Sequence, residues 1–157
     1  MTRRFVLTLV AGVALFSGSL MAANTPNFSG SWKLNAAKSD FGPMPAPDKM
    51  DRTIKHEDPT MEMKTTQVGQ QGEITTEMKY VTDGKEFVNK GPRGEVKSVA
   101  TWEAGKLVVK SKREVQGMEI TITETWSLSE DGKNITIVNS ISTPQGDFEA
   151  KIVMDKQ

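Results

Sequence analysis

In the run "ITITETWSL", residues 120–128, a carboxylate stands where the pattern calls for an apolar residue. Glu124 shares the two-residue phase of Ile120, Ile122, Trp126 and Leu128, so a strand that buries those residues turns Glu124 inward with them. A buried carboxylate must be paired, hydrogen-bonded or protonated. It can anchor the polar end of a bound molecule, bond structurally to Asn139 across the next hairpin, or sit in a wet spot at the end of the fold. Arg113, in phase with Val109 and Val115, either meets an anionic group inside or snorkels out to water. Arg113 falls opposite Ile120, four residues from Glu124, a separation of about 13 Å at the usual strand rise. A ligand or waters, rather than a direct ion pair, would link the two charges. His56 is the only histidine, and Met61, Met63 and Met78 follow it in the same phase. Imidazole and thioethers suit Cu(I), yet the same methionines also make an adaptable apolar wall. Tyr80, Phe87, Trp102 and Trp126 serve either as core or as the lining of a pocket.

Catalytic signatures are missing. The sequence has no Gly-x-Ser-x-Gly, no His-Glu-x-x-His and no cysteine. Glu124 with a tyrosine or arginine is the one acid–base set conceivable, so a non-enzyme is expected, with no cofactor and no assigned metal site.

What must position these residues is a sheet. From Asp51 onward, alternating apolar and polar residues are cut by "EDPT", "GQQG", "TDGK", "GPRG", "EAGK", "VQGM", "EDGK" and "TPQG", and no helical period persists. Strands are predicted at 51–57, 60–68, 73–81, 85–89, 95–103, 106–115, 118–129, 134–142 and 147–155, with a further one at 29–35. Short turns fix which residues face each other. They place Trp102, Leu107, Trp126, Ile137 and Ile152 in one row, and Ala100, Val109, Glu124, Asn139 and Ala150 in the next. A third row runs His56, Met61, Tyr80, Phe87, Ser98, Ser111, Ile122, Ile141 and Phe148. Since no turn flips the face, the expected fold is all-β: a single up-and-down antiparallel β-barrel of about ten strands, with a two-sheet sandwich as the alternative. Between the first two strands, "AAKSDFGPMPAPDKM" carries prolines 43, 45 and 47 and reads as an extended strap, a lid, a plug or a plain connector.

The N-terminal residues "MTRRFVLTLVAGVALFSGSLMAAN" have two arginines, an apolar run too short to span a bilayer and small residues at Ala22 and Ala23. They predict a signal peptide over 1–22, cleaved after Ala22 or Ala23, and a barrel domain over 23–157. Sec export is expected, the twin-arginine match being partial. A lipid anchor and disulfides are excluded by the lack of cysteine. Without Arg3 and Arg4, 18 basic residues stand against 20 acidic ones, a formal charge of −2 that suggests neither nucleic acid nor an anionic membrane surface as partner. A periplasmic or secreted monomer with no membrane span is expected.

Two stretches carry a family resemblance. "FSGSWKL", residues 28–34, resembles the Gly-x-Trp first strand of the calycins, the lipocalins and cytosolic fatty-acid-binding proteins, and "TWEAGKLVV" resembles a later hairpin of the latter. The chain is also similar to small secreted bacterial proteins described as lipocalin-like. The resemblance implies an interior site for a small apolar or amphipathic molecule, and a structural pairing of Trp32 with a basic residue of the last strand, here Lys156. It departs in two places. The proline strap replaces a helical lid, and Ile152 and Met154 occupy the positions of the family's carboxylate-holding Arg-x-Tyr pair. The function expected is exported, non-catalytic ligand binding. The alternatives are an envelope module with a filled barrel and a periplasmic Cu(I) carrier using His56 and the methionines.

Overall fold

The computed structural model describes residues 25–91, 94–115 and 117–157, so the predicted signal peptide lies outside the described residues. Ten strands follow one another: β1 (Gly30–Leu34), β2 (Lys49–Glu57), β3 (Thr60–Gly69), β4 (Gly72–Val81), β5 (Glu86–Gly91), β6 (Gly94–Glu103), β7 (Lys106–Val115), β8 (Met118–Leu128), β9 (Asn134–Thr143) and β10 (Gly146–Lys156). All pairings are antiparallel, in the order β4-β3-β2-β1-β10-β9-β8-β7-β6-β5. The sheet curls into a nearly closed barrel, as the alternation of apolar and polar residues requires if one face is to be dry.

The predicted rows are those observed. Leu107 faces Trp102 and Trp126, Ile137 faces Trp126 and Ile152, and Glu124 faces Val109 and Asn139. His56, Met61 and Tyr80 likewise stand side by side. The expected continuation from Tyr80 to Phe87 needs correction, because β4 and β5 form no ladder and these two residues meet through their rings, 5.7 Å apart. Here Asn89 of β5 substitutes for a missing peptide. Its side-chain Nδ2 donates to the Lys79 carbonyl and its Oδ1 accepts from the Lys79 N–H, both at 2.9 Å.

One end of the barrel is filled by rings. Phe28 and Trp102 stack at 6.0 Å, and His56 lies 5.8 Å from each of them. Trp32 is buried beside them, donates to the Phe28 carbonyl at 2.9 Å and carries the Lys156 ammonium 5.3 Å above its ring, the pairing expected from the resemblance.

The strap lies at the other end. After β1 it makes one 3-10 turn, Ala36–Lys38, whose Lys38 N–H donates to the capping Asn35 Oδ1 at 3.1 Å. A two-way bridge between Asp40 and Lys151 then ties it to β10. At Gly42 the backbone has φ +57° and a Cβ would stand 2.6 Å from the Glu149 carbonyl, so only glycine fits this crossing. Among the described residues, no helix is long and apolar enough to cross a membrane.

Candidate functional site

Between the ring-filled end and the strap lies a cavity of about 410 Å³. Met63, Met78 and Ile74 line one wall, and Arg52, Thr65, Tyr80, Arg113 and Glu124 bring polar atoms to it. Each arrives on an inward position of its strand: Arg52 from β2 between Met50 and Ile54, Tyr80 from β4, and Glu124 from β8. The alternation that turns their apolar neighbours inward therefore turns them inward, leaving Arg52 and Tyr80 buried and Glu124 half-buried.

Glu124 Oε2 accepts from the Tyr80 hydroxyl at 3.0 Å and from the Trp126 indole N–H at 3.3 Å. Its hydrogen bonds thus cross the barrel to β4 rather than the hairpin to Asn139, which is buried opposite it. Burial and the neighbouring Glu124 charge raise the Tyr80 phenol well above its ordinary value, leaving it a neutral donor. Arg52 is buried with its Nε donating to Thr65 Oγ1 at 3.0 Å and its guanidinium 5.1 Å from the centre of the Trp126 ring. Its Nη1 is enclosed and has no hydrogen-bond partner among the described residues. Desolvation lowers the Arg52 pKa, against the opposing pull of Glu124 and Tyr80.

Of the residues singled out from sequence, Glu124, Arg113, Tyr80, Met63 and Met78 line this cavity. Trp126 and Phe87 stand behind it, through Glu124 and the Tyr80 ring respectively. His56 and Trp102 belong instead to the filled end, and Met61 packs in the buried core beside them. The imidazole of His56 is fully engaged, its Nδ1 accepting from the Phe28 N–H at 3.2 Å and its Nε2 facing Asp58 Oδ1 at 3.2 Å. That tautomer leaves no ring nitrogen for a metal, and the Cu(I) reading loses its imidazole. Arg52 and Thr65 were missed. The signal for Arg52 was present, since it shares the phase of Ile54 and His56, but an arginine near a strand's start reads as solvated.

No protein-family model matches the chain, and no curated protein matches it either. Solved structures do. The zebrafish ileal bile-acid-binding protein complexed with cholic acid superposes with a TM-score of 0.57 at 19% identity, over 83% of this chain and 98% of that one. Human cRBP IV gives 0.56 at 16% identity, over 84% and 99%. A secretory abundant heat soluble protein from Ramazzottius varieornatus gives 0.61 at 14% identity, over 82% and 94%. The fold is calycin-like. At these identities the likeness is one of architecture, and it matches the strand count, the up-and-down order and the near-closure derived above.

Proposed function

We propose that this protein is an exported, non-catalytic carrier that holds one small amphipathic molecule inside its barrel. The observation that carries the reading is the enclosed Arg52 Nη1, an unmet donor on a residue lining a mixed cavity in which Met63, Met78, Ile74 and Val96 alternate with polar side chains. A few placed polar groups in an apolar hollow are what a small-molecule site consists of, and a buried donor with no acceptor is a cost that a ligand can relieve. The solved neighbours include a protein named for binding bile acids, with cholic acid bound, which supports a calycin-like barrel as a ligand holder. Export rests on the N-terminal sequence pattern.

The neutral dye Nile red should bind the purified protein saturably at one site, with an organic extract of the protein yielding a co-purified molecule. Met78→Trp, which fills the cavity from β4, should abolish dye binding with the circular dichroism spectrum unchanged. The absence of both saturable binding and an extracted molecule would overturn the reading.

A further inference from the structure

The geometry points to the opening between β4 and β5 as a docking site for an extended peptide, added as an antiparallel strand along the free edge of β4. The sheet ends at β4 on one side and at β5 on the other, so the only ladder of β4 is with β3. In an antiparallel strand the N–H and C=O of a residue point the same way, and the direction alternates from one residue to the next. Both groups of Lys79 point into the opening, where the Asn89 side chain meets them. Glu73, Thr75 and Glu77 share that phase, whereas Ile74, Thr76 and Met78 turn to Gln67, Thr65 and Met63 of β3. No ladder covers the N–H and C=O groups of Glu73, Thr75 and Glu77, all three of them exposed.

Asn89 shows what the opening accepts. Its amide donates one hydrogen bond to Lys79 and accepts one from it, the reciprocal pair that a peptide of an antiparallel neighbour would supply. That is the first rung of a strand whose other rungs are open. Across from them the wall has no side chains: Gly91 and Gly94 line the interior cavity together with Thr76 and Met78, and nothing stands within 4 Å of a Cβ built on Gly94. An added backbone can come close there.

The occupant follows from the two faces of such a strand. Alternation carries every second guest side chain inward, beside Ile74, Thr76 and Met78 and across from Val96, where the cavity of about 410 Å³ gives it room. Those guest positions are apolar. The others stand outside, beside Glu73, Thr75 and Glu77. Glu77 already lies 3.4 Å from Lys64, while Glu73 makes no ion pair among the described residues, so a basic guest residue opposite Glu73 completes the match. A second barrel cannot reach this edge, because β5 and β6 stand on the far side of the opening, but a single strand can. The inference does not rest on the carrier reading, since the edge is open whether or not the cavity holds a small molecule.

The peptide acetyl-Lys-Val-Thr-Val-Lys-Val-Thr-amide, titrated into isotope-labelled protein and followed by NMR, tests the inference. With peptide bound, the amide hydrogens of Glu73, Thr75 and Glu77 should exchange about 10-fold or more slowly, while those of Ile74 and Thr76, already in the β3 ladder, change little. N-methylation of the peptide's Lys and Thr residues, whose N–H groups face β4 in antiparallel pairing, should weaken binding about 10-fold or more. N-methylation of its Val residues should leave the affinity within about 3-fold. Thr75→Pro removes an N–H that no ladder uses, so the barrel should fold and lose the peptide. If Thr75→Pro does not fold, the two methylated peptides on the wild type decide the matter. No saturable binding, unchanged exchange at Glu73, Thr75 and Glu77, or equal loss from the two methylation patterns overturns the inference.

Discussion

Asp58 shows how much a single carboxylate can organise. It receives the Thr82 hydroxyl at 2.8 Å, the Thr25 hydroxyl at 2.9 Å, the His56 Nε2–H at 3.2 Å and the Trp102 indole at 3.3 Å. Burial works to raise its pKa, but the bonds from Thr82, Thr25, His56 and Trp102 outweigh that and hold the carboxyl below its usual value. A carboxyl depressed in the folded state adds stability that is fully present above its unfolded value of about 4 and is lost as pH falls through the lower folded one. Asp58→Asn should therefore flatten the acid limb of a thermal-stability profile below about pH 4. An acid limb identical to the wild type would show that Asp58 does not tie down this end. The same residue marks a limit of sequence reading. The turn "EDPT" was legible as a turn, but nothing in its spelling says that its aspartate would collect donors from four separate parts of the chain and so take the only histidine out of play.

At the level of elements, the turn chemistry specified the register almost completely. The hairpin between β6 and β7 turns on Ala104 and Gly105, at φ 48° and 76°, the pair of left-handed residues of a type I′ turn. Alanine is strained there, and Ala104→Asn should stabilise the protein by about 1 kcal/mol, read as a rise in thermal midpoint of about 2–4 °C. A lowered midpoint would mean that the alanine methyl has a packing role. The rows through Trp126 and Glu124 were legible because two-residue turns and a period of two leave one solution. The β4–β5 turn looked the same in sequence and did not extend the ladder. A turn signal reports a local reversal, and the pairing of the strands beyond it depends on how far the sheet has already curled. The strap was legible as proline-rich and extended, but its crossing over β10 depends on Gly42 meeting Glu149, a contact made across the fold.

For the whole molecule, one amide makes both of the hydrogen bonds that join β4 to β5 among the described residues, beside the Tyr80–Phe87 ring contact. Asn89→Leu keeps the bulk but loses both bonds to Lys79, and it should cost about 1–3 kcal/mol, with the Lys79 amide hydrogen exchanging faster than those in the β2–β3 ladder. Unchanged exchange at Lys79 would mean that other contacts hold β4 to β5. The interior site was partly legible for a related reason: residues on continuous ladders, such as Glu124, were placed correctly, whereas the meeting of Tyr80 with Glu124 across the barrel depends on closure. The seam has a further consequence. Residues 28–34 and 153–157 lie side by side in the middle of the sheet, since β1 pairs with β10, while the two strands at the sheet's edges are joined by the turn at Gly84. If Gln157 were linked to Pro26 and the chain opened at Gly84, the same residues would run from one edge of the sheet to the other, each strand beside its successor. In this protein, position along the chain and position across the sheet are the same order up to a rotation.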